Sequence, residues 1–398
     1  MECAAEDVRH ATTTMKRLSD FSAGRDNNFN LLRFIAASAV LVSHSFALAT
    51  GDPHTEPLRQ LLGLSLGDIA VGVFFVTSGF LVTGSLLTKQ NTAEFLLSRA
   101  LRIYPGLWVA VLLSVAIFGL AYTELGASSF FTQRGTWRYV VTNMAMLGYE
   151  TYGLPGTFVH LPMAGAVNGS LWSLPVEIRM YMLLGLAWIA CSAASRKPAR
   201  WLKAFCIAVA AVAMAADLAF MWAHPDTYQA YQAPLFADLL AAFFSGAALR
   251  ALQHRVPVSR TIFAALIGAL IVAAATSGFL VLYKLTFAYI VLYVALVPRG
   301  PMLKFNRLGD YSYGIYIYAF AVQQTIVHSA PGITPMQLMF FSSVPTLILA
   351  MASWHLIEKR ALRLRTKYAT PPAKPTCEGG STRATPGLPD LPQIPPHL

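Results

Sequence analysis

The sequence predicts an all-α polytopic membrane protein with about ten transmembrane helices and both termini cytoplasmic. Three observations carry this. Of the 398 residues, 56% are hydrophobic and only 12% are charged, against roughly 25% charged in soluble domains. The apolar residues fall into ten runs, near 29–50, 68–88, 103–122, 171–191, 201–223, 235–252, 261–277, 279–297, 311–330 and 335–357. Each run is close to the length that crosses a bilayer as a helix. The basic residues alternate between the loops that join these runs.

That alternation sets the topology. With a cytoplasmic N-terminus, 24 of the 30 Lys and Arg lie on the cytoplasmic side. Arg9, Lys16, Arg17 and Arg25 precede the first run; Lys89, Arg99 and Arg102 follow the second. The remaining groups fall around 196–203, 250–260 and 299–307, and beyond residue 358. Only Arg59, Arg134 and Arg138 fall in opposite-side loops. This is the positive-inside pattern. It accounts for the net charge of +11 without nucleic acid or another acidic partner. The sequence does not set the oligomeric state.

The chain divides into a polar cytoplasmic segment 1–28, a transmembrane domain 29–365 and a Pro-rich tail 366–398. Residues 1–28 lack the apolar core of a cleavable signal. The tail is expected to be disordered and cytoplasmic. Cys3, Cys191, Cys206 and Cys377 map to the cytoplasmic half or to the tails, so reduced thiols are expected. No disulfide or metal spacing is present.

Two segments resist a simple reading. The long external stretch 123–170 holds Trp137, Tyr139, Tyr149, Tyr152 and Phe158, which suit the membrane interface and equally suit a re-entrant lid. The hexapeptide Thr77–Val82 recurs as Thr276–Val281. Its surroundings do not repeat, so the second copy reads as compositional chance.

The ionisable residues inside the runs carry the functional signal. Arg33 and His44 are eleven residues apart in the first run. Eleven helical steps overshoot three turns by about 20°, so both side chains share a face, separated by about 16.5 Å of rise. Such charges are costly in lipid and mark a functional site by default. The plain alternative is that Arg33 snorkels to the surface and His44 makes a packing contact. His44, Glu177, Arg179, Asp217, Asp238 and Lys284 all count to the outer half, whereas Arg33, Arg99 and Arg102 count to the inner edge. The inner group is purely cationic and suits a phosphorylated ligand. The outer group suits proton transfer to a hydroxylated one. Snorkelling outward or pairing across helices is the plain alternative for Asp238, Lys284 and Arg179. His44 and Glu177 count to matching depths, where a shared hydrogen bond would fix the imidazole tautomer.

Glu177 and Tyr181 share a helical face. Pro175 would bend its helix toward a cavity. Ser78 and Gly79 remove bulk from the second run, for close helix contact or close approach of a ligand.

These residues resemble the acyltransferase-3 family of integral membrane O-acyltransferases. The first run gives an arginine–ten residues–histidine motif, Arg33 to His44, preceded by Asn28–Leu32. The second gives Gly72–Phe80, and the third an arginine–two–arginine signature, Arg99 to Arg102, followed by Ile103–Tyr104–Pro105. The fourth gives Ser170–Leu171–Trp172–Ser173–Leu174–Pro175–Val176–Glu177, ending at Tyr181. Gly309–Tyr316 is similar to the family's serine–tyrosine segment, and Glu358–Lys359 closes the last run. The resemblance covers about residues 26–365. Two departures stand out. Many members carry two adjacent acids where Glu177 is followed by Ile178. Some members continue into a hydrolase-like domain where this chain has the Pro-rich tail.

The resemblance implies a bacterial inner-membrane enzyme that moves an acyl group, usually acetyl, from cytoplasmic acyl-CoA to a hydroxyl of a glycan. No bound cofactor is expected; acyl-CoA, a carbohydrate acceptor and membrane lipid are the expected partners. On this reading Arg33, Arg99 and Arg102 hold the CoA phosphates. His44 acts as general base and Glu177 orients it. Ser78, Tyr104, Trp172, Tyr181, Tyr313, Asp217 and Lys284 support the reaction or line the acceptor pocket, with Tyr104 or Tyr313 as candidates for the oxyanion. A multi-span transporter or flippase of glycans or small molecules is the rival reading, since many spans and buried charges fit it as well.

Overall fold

The computed structural model describes residues 15–22, 24, 26–146, 148, 151–224 and 235–368. The tail from residue 369, Cys3, Cys377 and Tyr149 lie outside the described residues. Among the described residues the fold is helical, with no strand beyond two isolated bridges.

The long helices follow the apolar runs in order. They are α1 (Phe29–Thr50), α2 (Leu66–Lys89), α3 (Thr92–Leu113), α4 (Ser173–Ala194), α5 (Pro198–Ala223), α6 (Leu235–Ala251), α7 (Arg260–Ala273), α8 (Phe279–Leu296), α9 (Ser312–Ser329) and α10 (Pro335–Ser353). A wide π-type turn carries α3 on to Tyr122, and another carries α10 on through Lys359–Tyr368. Among the described residues, seven spans are long and apolar enough to cross a membrane. The other three predicted spans are α6 and α7, which are shorter, and α9, whose Tyr, Ser and Gln side chains make it less apolar. Trp222, Val272 and Phe340 are among the large apolar side chains that face outward, where lipid satisfies them.

Local chemistry sets the helix ends. Ser65 and Asp68 form a reciprocal capping box at the start of α2, and Thr334 and Gln337 form another at α10. The Asn91 side chain accepts the Glu94 N–H and starts α3. This cap lies twelve residues before the predicted start of the third run. The polar residues Glu94 and Arg99 hide the first turns of α3 from a hydropathy reading. Pro175 sits in the first turn of α4, where its missing N–H has no intrahelical partner to lose. It therefore needs no bend.

Helix α1 packs between α2 on one side and α9 and α10 on the other. Helix α2 also packs against α6, and α6 against α5. At the α2–α6 crossing, a Cβ on Gly79 would strike the Phe243 backbone, and one on Gly246 would strike the Val76 backbone. Gly79 therefore serves close helix contact. Helix α9 is buried along almost its whole length.

The described residues of the stretch 123–170 pack against this bundle. It contains the helix Arg134–Ala145 and is tied to α9 by Gln324 Nε2, which donates to the carbonyls of Met163 and Ala166. Tyr139 and Phe158 are buried, whereas Trp137 and Tyr152 face outward. The two copies of the hexapeptide differ completely. Thr77–Val82 is mid-helix in α2; Thr276–Val281 turns the chain from α7 into α8.

Candidate active site

Two cavities lie beside α1. The larger, about 400 Å³, is lined by Arg33 from α1, Ser98, Arg99 and Arg102 from α3, and Glu177 and Tyr181 from α4. Tyr313 and Tyr316 of α9, Asp310 before it and Trp354 after α10 complete the wall. Its volume is ordinary for a small-molecule site.

A relay of hydrogen bonds crosses this cavity. Arg33 donates to Ser78 Oγ at 3.2 Å, and Ser78 Oγ donates to Glu177 Oε1 at 2.8 Å. Tyr181 OH donates to the same carboxylate oxygen. Four of the sequence-predicted residues, from three helices, thus meet at one point. One turn separates Glu177 from Tyr181, which is why both reach Ser78.

The two α3 arginines differ. Arg102 is fully engaged: it pairs with Asp310 at 2.6 Å and Glu358 at 3.4 Å, and lies over the rings of Tyr313 and Trp354. Burial would raise the Asp310 carboxyl, but the adjacent Arg102 guanidinium outweighs it and holds that group below the usual range. Ser312 and Ser353 donate to the same two carboxylates. Arg99 has a single weak donor contact, from Nε to Ser98 Oγ at 3.3 Å. Among the described residues, neither Arg99 nor Arg33 forms an ion pair. Their charge is open toward the cavity, and it suits an anion.

The smaller cavity, about 170 Å³, surrounds His44. Trp172, Ser43, Glu56, Arg59, Asp68 and Tyr316 line it. Among the described residues His44 Nδ1 is buried without a hydrogen-bond partner, and the ring meets Phe320 edge-on at 5.3 Å. Glu56 is buried and accepts from Ser43 Oγ and the Leu66 N–H, each at 2.5 Å. Arg59 pairs with Asp68 at 3.2 Å. An imidazole with a vacant nitrogen beside carboxylates and an indole is equipped to take a proton from a bound hydroxyl.

Several expectations need correction. The hydrogen bond between His44 and Glu177 does not form. Trp172 is the residue of that segment beside His44; Glu177 lies five residues, about 7.5 Å, further along the chain and joins the arginines. Tyr104 lines neither cavity; its ring tilts against Trp108 at 5.8 Å. Tyr313 lines the cationic cavity, and its hydroxyl is committed to the Ile103 carbonyl at 2.7 Å. Neither tyrosine is placed to hold an oxyanion at His44. Asp217 and Lys284 stand apart as well. Lys284 Nζ bridges Asp217 at 2.6 Å and Asp238 at 2.5 Å, so these charges pair across α5, α6 and α8. They line neither of the two cavities.

Sequence reasoning left out Asp310, Glu358, Tyr316 and Ser173 as site residues, and also Glu56, Arg59 and Asp68. The first four stand inside the quoted motifs, which was the available signal. The last three sit at the α1–α2 turn, where no run or spacing singles them out.

A multi-span helical protein with an open cationic cavity and an adjacent vacant imidazole is a membrane enzyme in outline. Comparison with known proteins makes the class specific. Residues 26–355 match the acyltransferase domain of the acyltransferase-3 family, and the chain belongs to that family. It is an O-acyltransferase. It is similar to an O-acetyl transferase of Shigella phage Sf6, 31% identical over 85% of this chain and 96% of that one. It is also similar to nodulation protein 10 of Rhizobium leguminosarum bv. viciae, 29% identical over 87% and 96%. A shorter match, 26% identical over 42% of this chain and 25% of the relative, is to peptidoglycan O-acetyltransferase OatA of Listeria monocytogenes. No solved structure is significantly similar to the chain.

Proposed function

We propose that the protein transfers an acyl group, acetyl above all, from cytoplasmic acyl-CoA to a hydroxyl of a glycan at the bacterial inner membrane. The observation that carries this is the meeting of a cationic cavity with a smaller cavity that holds a vacant imidazole. Both termini lie on the donor side in this reading. Arg33 and Arg99 take the CoA phosphates, because a guanidinium matches a phosphate in a fork and theirs carry no carboxylate. Arg102, already paired, braces the wall and adds to the positive field. The larger cavity takes the pantetheine arm and points the thioester toward His44.

The acceptor hydroxyl enters the smaller cavity. His44 takes its proton as the oxygen attacks the thioester carbonyl. The carbon–sulfur bond breaks, and the proton passes to the departing CoA thiolate. Trp172 offers an apolar face to a sugar ring, and Glu56 and Asp68 offer acceptors to its other hydroxyls. The names of the relatives support an acetyl donor group, since two of them are O-acetyltransferases.

Purified protein given acetyl-CoA and candidate glycans tests the reading. Glycan-dependent release of CoA thiol, with acetyl ester on the glycan, is expected. Sugar movement across a vesicle membrane without thiol release would replace this reading with transport.

A further inference from the structure

Tyr316 stands where the two cavities meet. With Val71, it lines both of them. Along α9, Tyr313, Tyr316 and Phe320 are spaced three and four residues apart and so share one helical face. Tyr313 belongs to the cationic cavity, and the Phe320 ring touches the His44 ring. Tyr316 lies between them, about 6 Å of rise from Phe320. Its ring packs edge-on against Phe74 at 5.9 Å, and its hydroxyl shares a hydrogen bond with Ser173 Oγ at 2.6 Å. Both side chains are buried. Ser173 begins α4 and directly follows Trp172, which lines the His44 cavity. The bond therefore ties α9 to α4 across the junction.

We propose that Tyr316 and Ser173 form a latched partition between donor and acceptor cavities. It sets the largest acyl group that passes and keeps water from a bound thioester. This rests on the donor and acceptor assignment above. The latch is a bond between two neutral hydroxyls, which opens far more readily than a buried ion pair. The bulk behind it is one aromatic ring, whose removal leaves a gap. Without the latch, a water oxygen bonds to the acyl carbon and the carbon–sulfur bond breaks. One water proton ends on sulfur, releasing free CoA and the carboxylic acid.

The test measures CoA thiol release from the full chain, with and without acceptor, for acetyl-, butyryl- and hexanoyl-CoA. Tyr316→Phe and Ser173→Ala should each raise acceptor-independent release about fivefold, the equivalent of one neutral hydrogen bond. Tyr316→Phe/Ser173→Ala should leak no more than either alone, because all three lose the same bond. Tyr316→Ala should improve transfer of the longer acyl groups relative to acetyl by about tenfold. Unchanged leak and unchanged chain-length preference in these variants would overturn the partition.

A second readout needs no turnover. In sealed vesicles, a membrane-impermeant thiol reagent alkylates His44→Cys, read by peptide mass spectrometry. Adding Tyr316→Ala should speed this about tenfold from one face of the vesicle and leave it unchanged from the other. Equal rates with and without Tyr316→Ala from both faces would overturn the partition as well. If the wild type releases no thiol with any donor, the acyl-CoA reading fails, and the labelling arm still decides whether Tyr316 divides the two cavities.

Discussion

The Lys284 cluster and the Arg99 cavity both bury charge between helices, and they resolve it in opposite ways. Lys284 is met by two carboxylates, Asp217 and Asp238, and the space beside it is only about 30 Å³. Arg99 and Arg33 form no ion pair among the described residues and open on about 400 Å³. The first arrangement completes itself; the second waits for an anion. The comparison teaches that a charge inside a membrane span is informative about ligands only once its partners are known. Arg102 makes the point sharply, because it lines the open cavity yet is paired as completely as Lys284.

Substitutions can break this contrast, beginning with the largest effect. His44→Ala should reduce acyl transfer by about 10²–10⁴-fold, the usual contribution of a positioned general base. Its thermal unfolding midpoint should fall only by the lost packing of the ring on Phe320, because among the described residues Nδ1 makes no hydrogen bond to lose. Turnover near wild type would remove His44 from the chemistry. Lys284→Met should leave two carboxylates facing each other and cost about 3 kcal/mol of stability. Donor binding by the folded fraction should be unaffected. A melting curve in detergent and a titration with a non-reactive CoA analogue separate the two effects.

Arg102→Ala sharpens the contrast. It should behave like Lys284→Met, losing about 3 kcal/mol, because it strands Asp310 and Glu358. Arg99→Ala should do the reverse: affinity for the CoA analogue falls about tenfold while the unfolding midpoint holds. If Arg102→Ala leaves stability intact, the brace assigned to it is wrong. The smallest effect belongs to Ser78→Ala, about 1 kcal/mol, since Tyr181 still donates to Glu177. It should appear as a few-fold rise in the donor KM.

Much of the scaffold was legible because lipid imposes long apolar runs, and the structure follows those runs in order. The start of α3 is hidden because Glu94 pairs with Lys89 in its first turn and Ser98 and Arg99 face the polar cavity next, where a span has no need to be apolar. Within the site, Glu177 and Tyr181 were legible because one helical turn joins them. The partners of Arg102 were not, since Asp310 and Glu358 lie 208 and 256 residues away in sequence. No periodicity encodes such a contact. The expected pairing of His44 with Glu177 failed for a related reason. Depth was counted from the apparent edge of an apolar run. The chain in fact enters that span through a 3₁₀ turn, Gly169–Trp172, which spends the level of His44 on Trp172. Counting residues gives rise along one helix; it does not say how two helices are set against each other.

Gly79 and Ser78 are neighbours with divided labour. The hydroxyl of Ser78 points into the relay, while the bare backbone of Gly79, about 100° further around the helix, rests on α6. Adding one methyl group at Gly79 would wedge α2 away from α6 and carry Ser78 with it. The reach of a reactive-site hydroxyl is therefore calibrated on a neighbouring face of its own helix, by a residue whose contact is with α6. A variant inert in every chemical sense would silence the enzyme by displacement alone.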